Sequence, residues 1–104
     1  MEQLVRIENE RIVTSSLNVA EHFEKRHDHV IRDIETLISQ NPKLGTDYFC
    51  ETSYQAGTGK NYKMYLMNRD GFSLLVMGFT GAKALEWKLK YIEAFNAMEK
   101  EIKT

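Results

Sequence analysis

The chain has a single cysteine, Cys50, among 104 residues. That excludes an intramolecular disulfide and a cysteine-based zinc framework, and it fits a reducing cytoplasm. The opening MEQLVRIENE holds acidic residues and no apolar run, unlike a secretory signal. The longest apolar stretch, Leu74 to Met77, is far too short to cross a bilayer. Charge of one sign is also missing. A net charge of −1 is unlike the basic domains that phosphate attraction usually favours, so any nucleic-acid surface has to be a local patch. Repeats, linkers and low-complexity segments are absent as well. The 42% hydrophobic and 28% charged content is ordinary for a soluble globular protein. Residues 1–104 read as one domain, able to bury roughly two-thirds of its unfolded surface without metal or cross-link.

The densest information lies in Val19 to Ile34, VAEHFEKRHDHVIRDI, which holds all three histidines and the Lys25-Arg26 pair. Upstream, Leu4–Ile7 and Arg11–Thr14 suggest a β-hairpin around Glu8-Asn9-Glu10, with Asn9 suited to a left-handed turn position. Ser15 or Ser16 can cap a helix from Leu17 to about Phe23. Glu24 to His27 makes a turn, and Val30, Ile31, Ile34, Leu37 and Ile38 fall at helical spacing over a second helix, Asp28 to Ser39. Asn41-Pro42 ends it, and Leu44-Gly45 turns the chain. Two aromatic strands, Tyr48–Tyr54 and Asn61–Met67, flank a flexible loop, Gln55 to Lys60. Asn68 can cap a helix from Arg69 to Met77 that ends at Gly78, and Thr80 can cap a long helix from Ala82 to Lys103. The order is β-hairpin, two helices, β-hairpin, two helices. It implies an α+β fold of winged-helix-like type, with a helix-turn-helix-like part (15–40), a wing-like hairpin (48–67) and C-terminal helices (69–103).

Three segments carry a family resemblance. TSSLNVAEHFEKRHDHVIRDIE (Thr14 to Glu35), the hairpin with Tyr54, Gly59, Tyr62 and Tyr65, and MNRDGFSLLVMGFTGAKALEWKLKYIEAFNAM (Met67 to Met98) resemble the Rha family of phage regulatory proteins. The resemblance covers nearly the whole chain in the family's order and spacing. It implies a phage or prophage origin, a bacterial cytoplasm, and regulation through DNA or through other regulators. Longer members of the family carry a further C-terminal domain, so a chain stopping at Thr104 is either a minimal member or a truncated one.

The second helix would point Asp28, Arg32, Glu35, Thr36 and Ser39 outward, with His29 and Asp33 at the edge. Arg32 suits a guanine edge, and His29, Thr36 or Ser39 suits bases or phosphates. Lys25, Arg26 and His27 in the turn suit a phosphate at a helix N-terminus, and Lys60 and Lys63 suit the backbone beside a wing, with Tyr54 or Tyr62 as apolar contact. Asp28, Asp33 and Glu35 oppose this reading, since they repel phosphate. The alternatives are a solvated or protein-binding face of mixed charge and an ordinary flexible hairpin.

Other chemistry finds little support. The string GTGK is no phosphate loop, because Asn61 and a strand follow where Ser or Thr and a helix are needed. His22, His27 and His29 match no established metal spacing. Cys50 has no His nearby and reads as a small core or edge residue, and Asp70 as first-turn stabilisation of a helix. No enzyme, metal or cofactor is expected. On the long helix, Leu85, Leu89 and Ile92 form one apolar stripe, while Ala84, Trp87, Tyr91, Ala94, Phe95, Met98 and Ile102 form another. So wide a face suggests packing on the core and on a second subunit, with Trp87, Tyr91, Phe95 and Met98 in the core or dimer face. Complete coverage within one monomer by Phe72, Leu75, Met77 and Phe79 is the alternative. The expected partners are DNA, palindromic if the protein is a homodimer, or a repressor protein for an antirepressor.

Overall fold

The computed structural model describes residues 4–8 and 10–103. Asn9 and the side chain of Ile102 lie outside the described residues. The order is β1 (Arg6–Glu8), β2 (Arg11–Ser15), α1 (Ser16–His22), α2 (His27–Gln40), α3 (Leu44–Asp47), β3 (Phe49–Gln55), β4 (Asn61–Met67), α4 (Arg69–Val76) and α5 (Ala82–Lys103). The fold is mixed α+β, with a four-stranded antiparallel sheet in the order β1-β2-β4-β3. Its helices include the expected long C-terminal one.

Local chemistry explains most boundaries. Ser15 ends β2 and caps α1, its hydroxyl accepting from the Asn18 N–H at 3.1 Å. Asn68 does the same for α4 through the Gly71 N–H at 2.8 Å. Both satisfy amides that a helix start leaves without a partner. The first hairpin is tighter than its polar triplet suggests. Glu8 pairs with Arg11 inside the ladder, and Glu10 takes the positive φ of 66° that two-residue hairpin turns favour.

Two further expectations change. The chain after Pro42 does not simply turn at Leu44-Gly45. Asn41 Oδ1 accepts from the Lys43 N–H at 3.3 Å, and the carbonyls of Asn41, Pro42 and Lys43 accept in succession, winding the one-turn helix α3. Nor does Thr80 occupy the position whose carbonyl takes the first helical bond of α5. That carbonyl belongs to Gly81, bonded to the Leu85 N–H at 3.0 Å. Its φ of +105° is a conformation open to glycine at little cost.

The core is aromatic where the helices meet the sheet. Tyr91 of α5 is fully buried, its ring stacked on Phe72 of α4 at 4.7 Å and 6.1 Å from Phe23 after α1. Phe23 touches Phe79 at 5.3 Å, and Phe72 touches Phe95 at 6.0 Å. His22, at the end of α1, is buried against α5. It stacks on Trp87 at 4.1 Å and shares a 2.7 Å hydrogen bond between Nδ1 and the Tyr91 hydroxyl. Val30 and Ile34 of α2, Phe49 of β3 and Met67 of β4 belong to the same interior.

At Gly71 the start of α4 lies so close to the sheet that an added Cβ would sit 2.6 Å from the Tyr48 carbonyl oxygen and 3.2 Å from Met67 Cβ. Backbone cannot move aside as a flexible side chain can. Gly71→Ala is therefore expected to lower stability by about 1–3 kcal/mol, the usual cost of overpacking, in urea unfolding. Gly78→Ala, which meets nothing within 4 Å, is expected to leave the midpoint unchanged or raise it slightly.

Candidate nucleic-acid interface

The turn between α1 and α2 is built by backbone hydrogen bonds and one left-handed residue. Phe23 and Lys25 amides bond back to the Val19 and Ala20 carbonyls at 3.0 and 2.9 Å, and Glu24 takes φ 56°. Glu24 then reaches Lys83 of α5 at 3.1 Å, which ties the turn to the long helix. Arg26 stands at the start of α2 with no side-chain cap of its own. Asp28 serves there instead, accepting from the His29 N–H at 3.0 Å and from Arg26 Nε and Nη2 at 3.2 Å each. Desolvation raises the Asp28 carboxyl, but the charges of Arg26 and His29, with the hydrogen bonds from them, outweigh it and hold the carboxyl below its ordinary range.

The candidate residues do not behave alike. Val30 and Ile34 face the core, so helical spacing sends Arg32 to the opposite side, where its side chain is 68% exposed and its Nε lies 3.9 Å from Asp33. His29 is exposed. Thr36 is exposed too, but its hydroxyl donates to the Arg32 carbonyl at 2.9 Å, a local bond such residues often make within helices. Lys25 turns away, its ammonium lying 4.6 Å above the Phe79 ring. His27 is half-buried, with Nε2 sharing a 2.8 Å hydrogen bond with the Ser16 hydroxyl and its ring edge-on to Tyr54 at 5.8 Å. Burial lowers its pKa, and nearby Asp28 only partly offsets this.

The hairpin β3–β4 is held to α2 by a carboxylate that the sequence marked as a liability. Glu35 accepts from Lys63 Nζ and, at 3.2 Å, from the Tyr65 hydroxyl. The hydrogen bond from Lys63 lowers the Glu35 carboxyl, and Tyr65 adds to it against the effect of burial. Burial first, then the Glu35 charge, pushes the Tyr65 phenol up to about 12. Lys63 is therefore engaged, and Glu35 is neutralised locally. Lys60, at the loop end, is exposed and makes no ion pair among the described residues. The loop is a closed turn, with Ala56 N–H bonded to the Lys60 carbonyl at 3.1 Å and Gly59 at φ +85°.

Of the eight candidates, Arg26, His29 and Arg32 share the exposed side of α2, and Lys60 stands on the hairpin that Glu35 holds beside it. The residues missed were Glu35 and Tyr65 as a clamp and Ser16 as the link between His27 and β4, whose Tyr65 N–H it accepts at 3.0 Å. No local signal marks them, because the partners lie 11 to 49 residues apart. Cys50 is an exposed residue of strand β3 at the sheet edge. Among the described residues, no group of three or more His, Cys, Asp or Glu is placed to hold a metal, and no helix is long and apolar enough to cross a membrane.

On α5, Tyr91 and Phe95 are buried in the monomer, and Trp87 and Met98 pack partly buried against the same core. The other stripe stays open. Leu85 is 57%, Leu89 53% and Ile92 47% exposed.

Comparison with known proteins points one way. A family model described as phage regulatory protein Rha matches residues 14–100. An uncharacterised protein of Haemophilus influenzae is 39% identical over 97% of this chain and 60% of its own length. An SPbeta prophage-derived protein of Bacillus subtilis, named as an antirepressor, is 31% identical over 92% of this chain and 39% of its own. An uncharacterised 22.8 kDa protein of Salmonella phage P22 is 36% identical over 97% and 51%. The chain thus spans between 39% and 60% of the length of these relatives. No solved structure matches it.

The clamp has a pH signature. A carboxyl whose folded pKa is lowered adds stability above its unfolded value and loses it as pH falls through the folded one. Glu35 is therefore expected to contribute above about pH 4.5, its ordinary value, and progressively less below it. Urea unfolding across the acid range should show a shallower acid loss for Glu35→Gln than for the native chain. Equal pH slopes would mean that the clamp adds nothing to stability.

Proposed function

The chain belongs to the phage regulatory protein Rha family, and from that premise we propose that it regulates phage or prophage genes by binding DNA in the cytoplasm of the bacterial host. On this reading it acts by binding, without a catalytic step. The α1–turn–α2 unit acts as a helix-turn-helix, and β3–β4 is the wing of a winged-helix-like domain. The observation that carries the reading is Arg32, exposed at the centre of the outward side of α2, with a hairpin held beside that helix through Glu35. Ion pairs meet part of the objection from acidic residues, because Glu35 pairs with Lys63, Asp28 with Arg26 and, at 3.9 Å, Asp33 with Arg32. Arg26, His29, Arg32 and Lys60 are the contacts we assign, with Lys63 holding the wing.

A second reading is favoured by two observations. The net charge is −1, and one relative is named as an antirepressor. A mixed-charge α2 surface would then engage a repressor protein and leave DNA alone. For either reading we assign the open stripe Leu85, Leu89 and Ile92 to a two-fold dimer. A stable interface covers about 800 Å² per partner, so the stripe would be its apolar centre only.

Gel shifts against the phage's own regulatory DNA over a range of salt separate the two readings. Binding that weakens steeply with salt is expected, with Lys60→Ala reducing the salt slope by about 1 and Arg32→Ala costing about 1–3 kcal/mol. Absence of binding at low salt, with a phage repressor captured instead, would establish the second reading. Light scattering should give a dimer mass for the native chain and a monomer mass for Leu89→Glu; a monomer for both at high concentration would sink the dimer.

A further inference from the structure

Two tyrosines of the hairpin lie outside the contacts assigned so far. Tyr54 and Tyr62 sit directly opposite each other in the β3–β4 register. Their ring centroids are 5.7 Å apart at a 31° tilt, and His27 meets Tyr54 at 5.8 Å from the start of α2. Three rings thus run from the helix to the hairpin. Tyr62 is 43% exposed, so the outer end of the row is accessible to solvent.

The charge distribution around these rings is uneven. Side chains alternate between the two faces of a strand, so Thr52, Tyr54, Tyr62 and Met64 share one face, while Glu51, Lys63 and Tyr65 belong to the other. The strand positions on the ring face carry no acid. Lys60, exposed and without an ion pair among the described residues, ends the loop immediately before β4. Exposed aromatic surface, with a lysine, unpaired among the described residues, two residues before Tyr62 in the chain, suits one ligand chemistry well, a nucleobase stacked on the ring with its phosphate near the ammonium. The bases of an intact duplex already have both faces covered by neighbours, so they cannot lie flat on such a ring without unstacking.

We propose that His27, Tyr54 and Tyr62, with Lys60, form a stacking platform for unpaired nucleobases, so that the protein holds single-stranded nucleic acid where α2 meets the hairpin. The inference rests on the reading of this side of the molecule as a nucleic-acid surface, and it adds a strand type that a helix-turn-helix alone does not select. A cross-strand tyrosine pair also stiffens a hairpin, and ligand binding separates that role from the platform.

The test is fluorescence anisotropy at low salt with the full chain and labelled oligothymidine, oligouridine and a mixed-sequence duplex of equal length. Binding of one or both single strands is expected, the two arms showing whether DNA or RNA is preferred. Tyr62→Ala should weaken single-strand binding roughly tenfold or more, the usual loss for one stacked base, and Tyr62→Phe, which keeps the ring, should stay near native affinity. Tyr62 is exposed, so both variants should retain the native circular dichroism spectrum. No binding of either single strand, or Tyr62→Ala binding like the native chain, overturns the platform. Single-strand binding without binding of this duplex supports the platform and leaves the operator reading to the gel shifts on regulatory DNA, whereas duplex binding without single-strand binding overturns the platform alone.

Discussion

The burial of Tyr91 is the contact on which the arrangement depends. One ring on α5 meets Phe23 after α1 and Phe72 on α4, and its hydroxyl bonds to His22. Aromatic pairs add about 0.5–1.5 kcal/mol each beyond the area they bury, and here they join elements nearly 70 residues apart in the chain. The end of α1, the turn and the long helix are therefore one packed unit. Lys83–Glu24 repeats the tie at the surface, and Arg69 bonds to Asn96 and Glu99 to close α4 on α5. Removing α5 would leave the Phe23 and Phe72 rings facing water, so the helix is part of the core and not an appendage to it.

A second constraint sets the character of the exposed side. The chain is almost neutral overall, yet its charges are partly spent on one another. Arg26 is held by Asp28 and Lys63 by Glu35, while Arg32 and Lys60 keep more of their fields. Net charge sums all residues alike, whereas a surface is felt through those whose partners leave them exposed. The two cations that remain, Arg32 and Lys60, are a modest basis for phosphate attraction. They agree better with a binder that relies on geometry and a few directed contacts than with one steered by a strongly basic field.

Much of the element order was legible in the chain. Serine and asparagine caps, helical spacing from Val30 to Ile38 and the two aromatic strands carry their own local physics. So β2, α1, α2, β3, β4, α4 and α5 lie within a residue or two of expectation. What was illegible had weak or ambiguous local signals. Asn41-Pro42 marks the end of α2 and also starts α3, since the same side chain that breaks one helix accepts the first amide of the next turn. Thr80 is as good a cap by composition as any residue, but the left-handed backbone at Gly81 takes that position. Within the candidate interface, residue types were readable and their availability was not. Lys25 and Lys63 look like Lys60 in sequence, but one lies over Phe79 and the other is held by Glu35.

The segment from Val19 to Ile34, with its histidines and its Lys-Arg pair, marks by itself two helices and a charged turn, because helical periodicity and capping act over three or four residues. The sequence likewise determined that α5 carries two apolar stripes. Only the tertiary structure decided that Tyr91 and Phe95 are core while Leu85, Leu89 and Ile92 stay open, and that His22 belongs to the interior and His29 to the surface. The physical reason is the same in each case. A side chain's type sets what it can bond to, but its partner, 28 residues away for Lys63 and 69 for His22, is chosen by how the helices pack on the sheet.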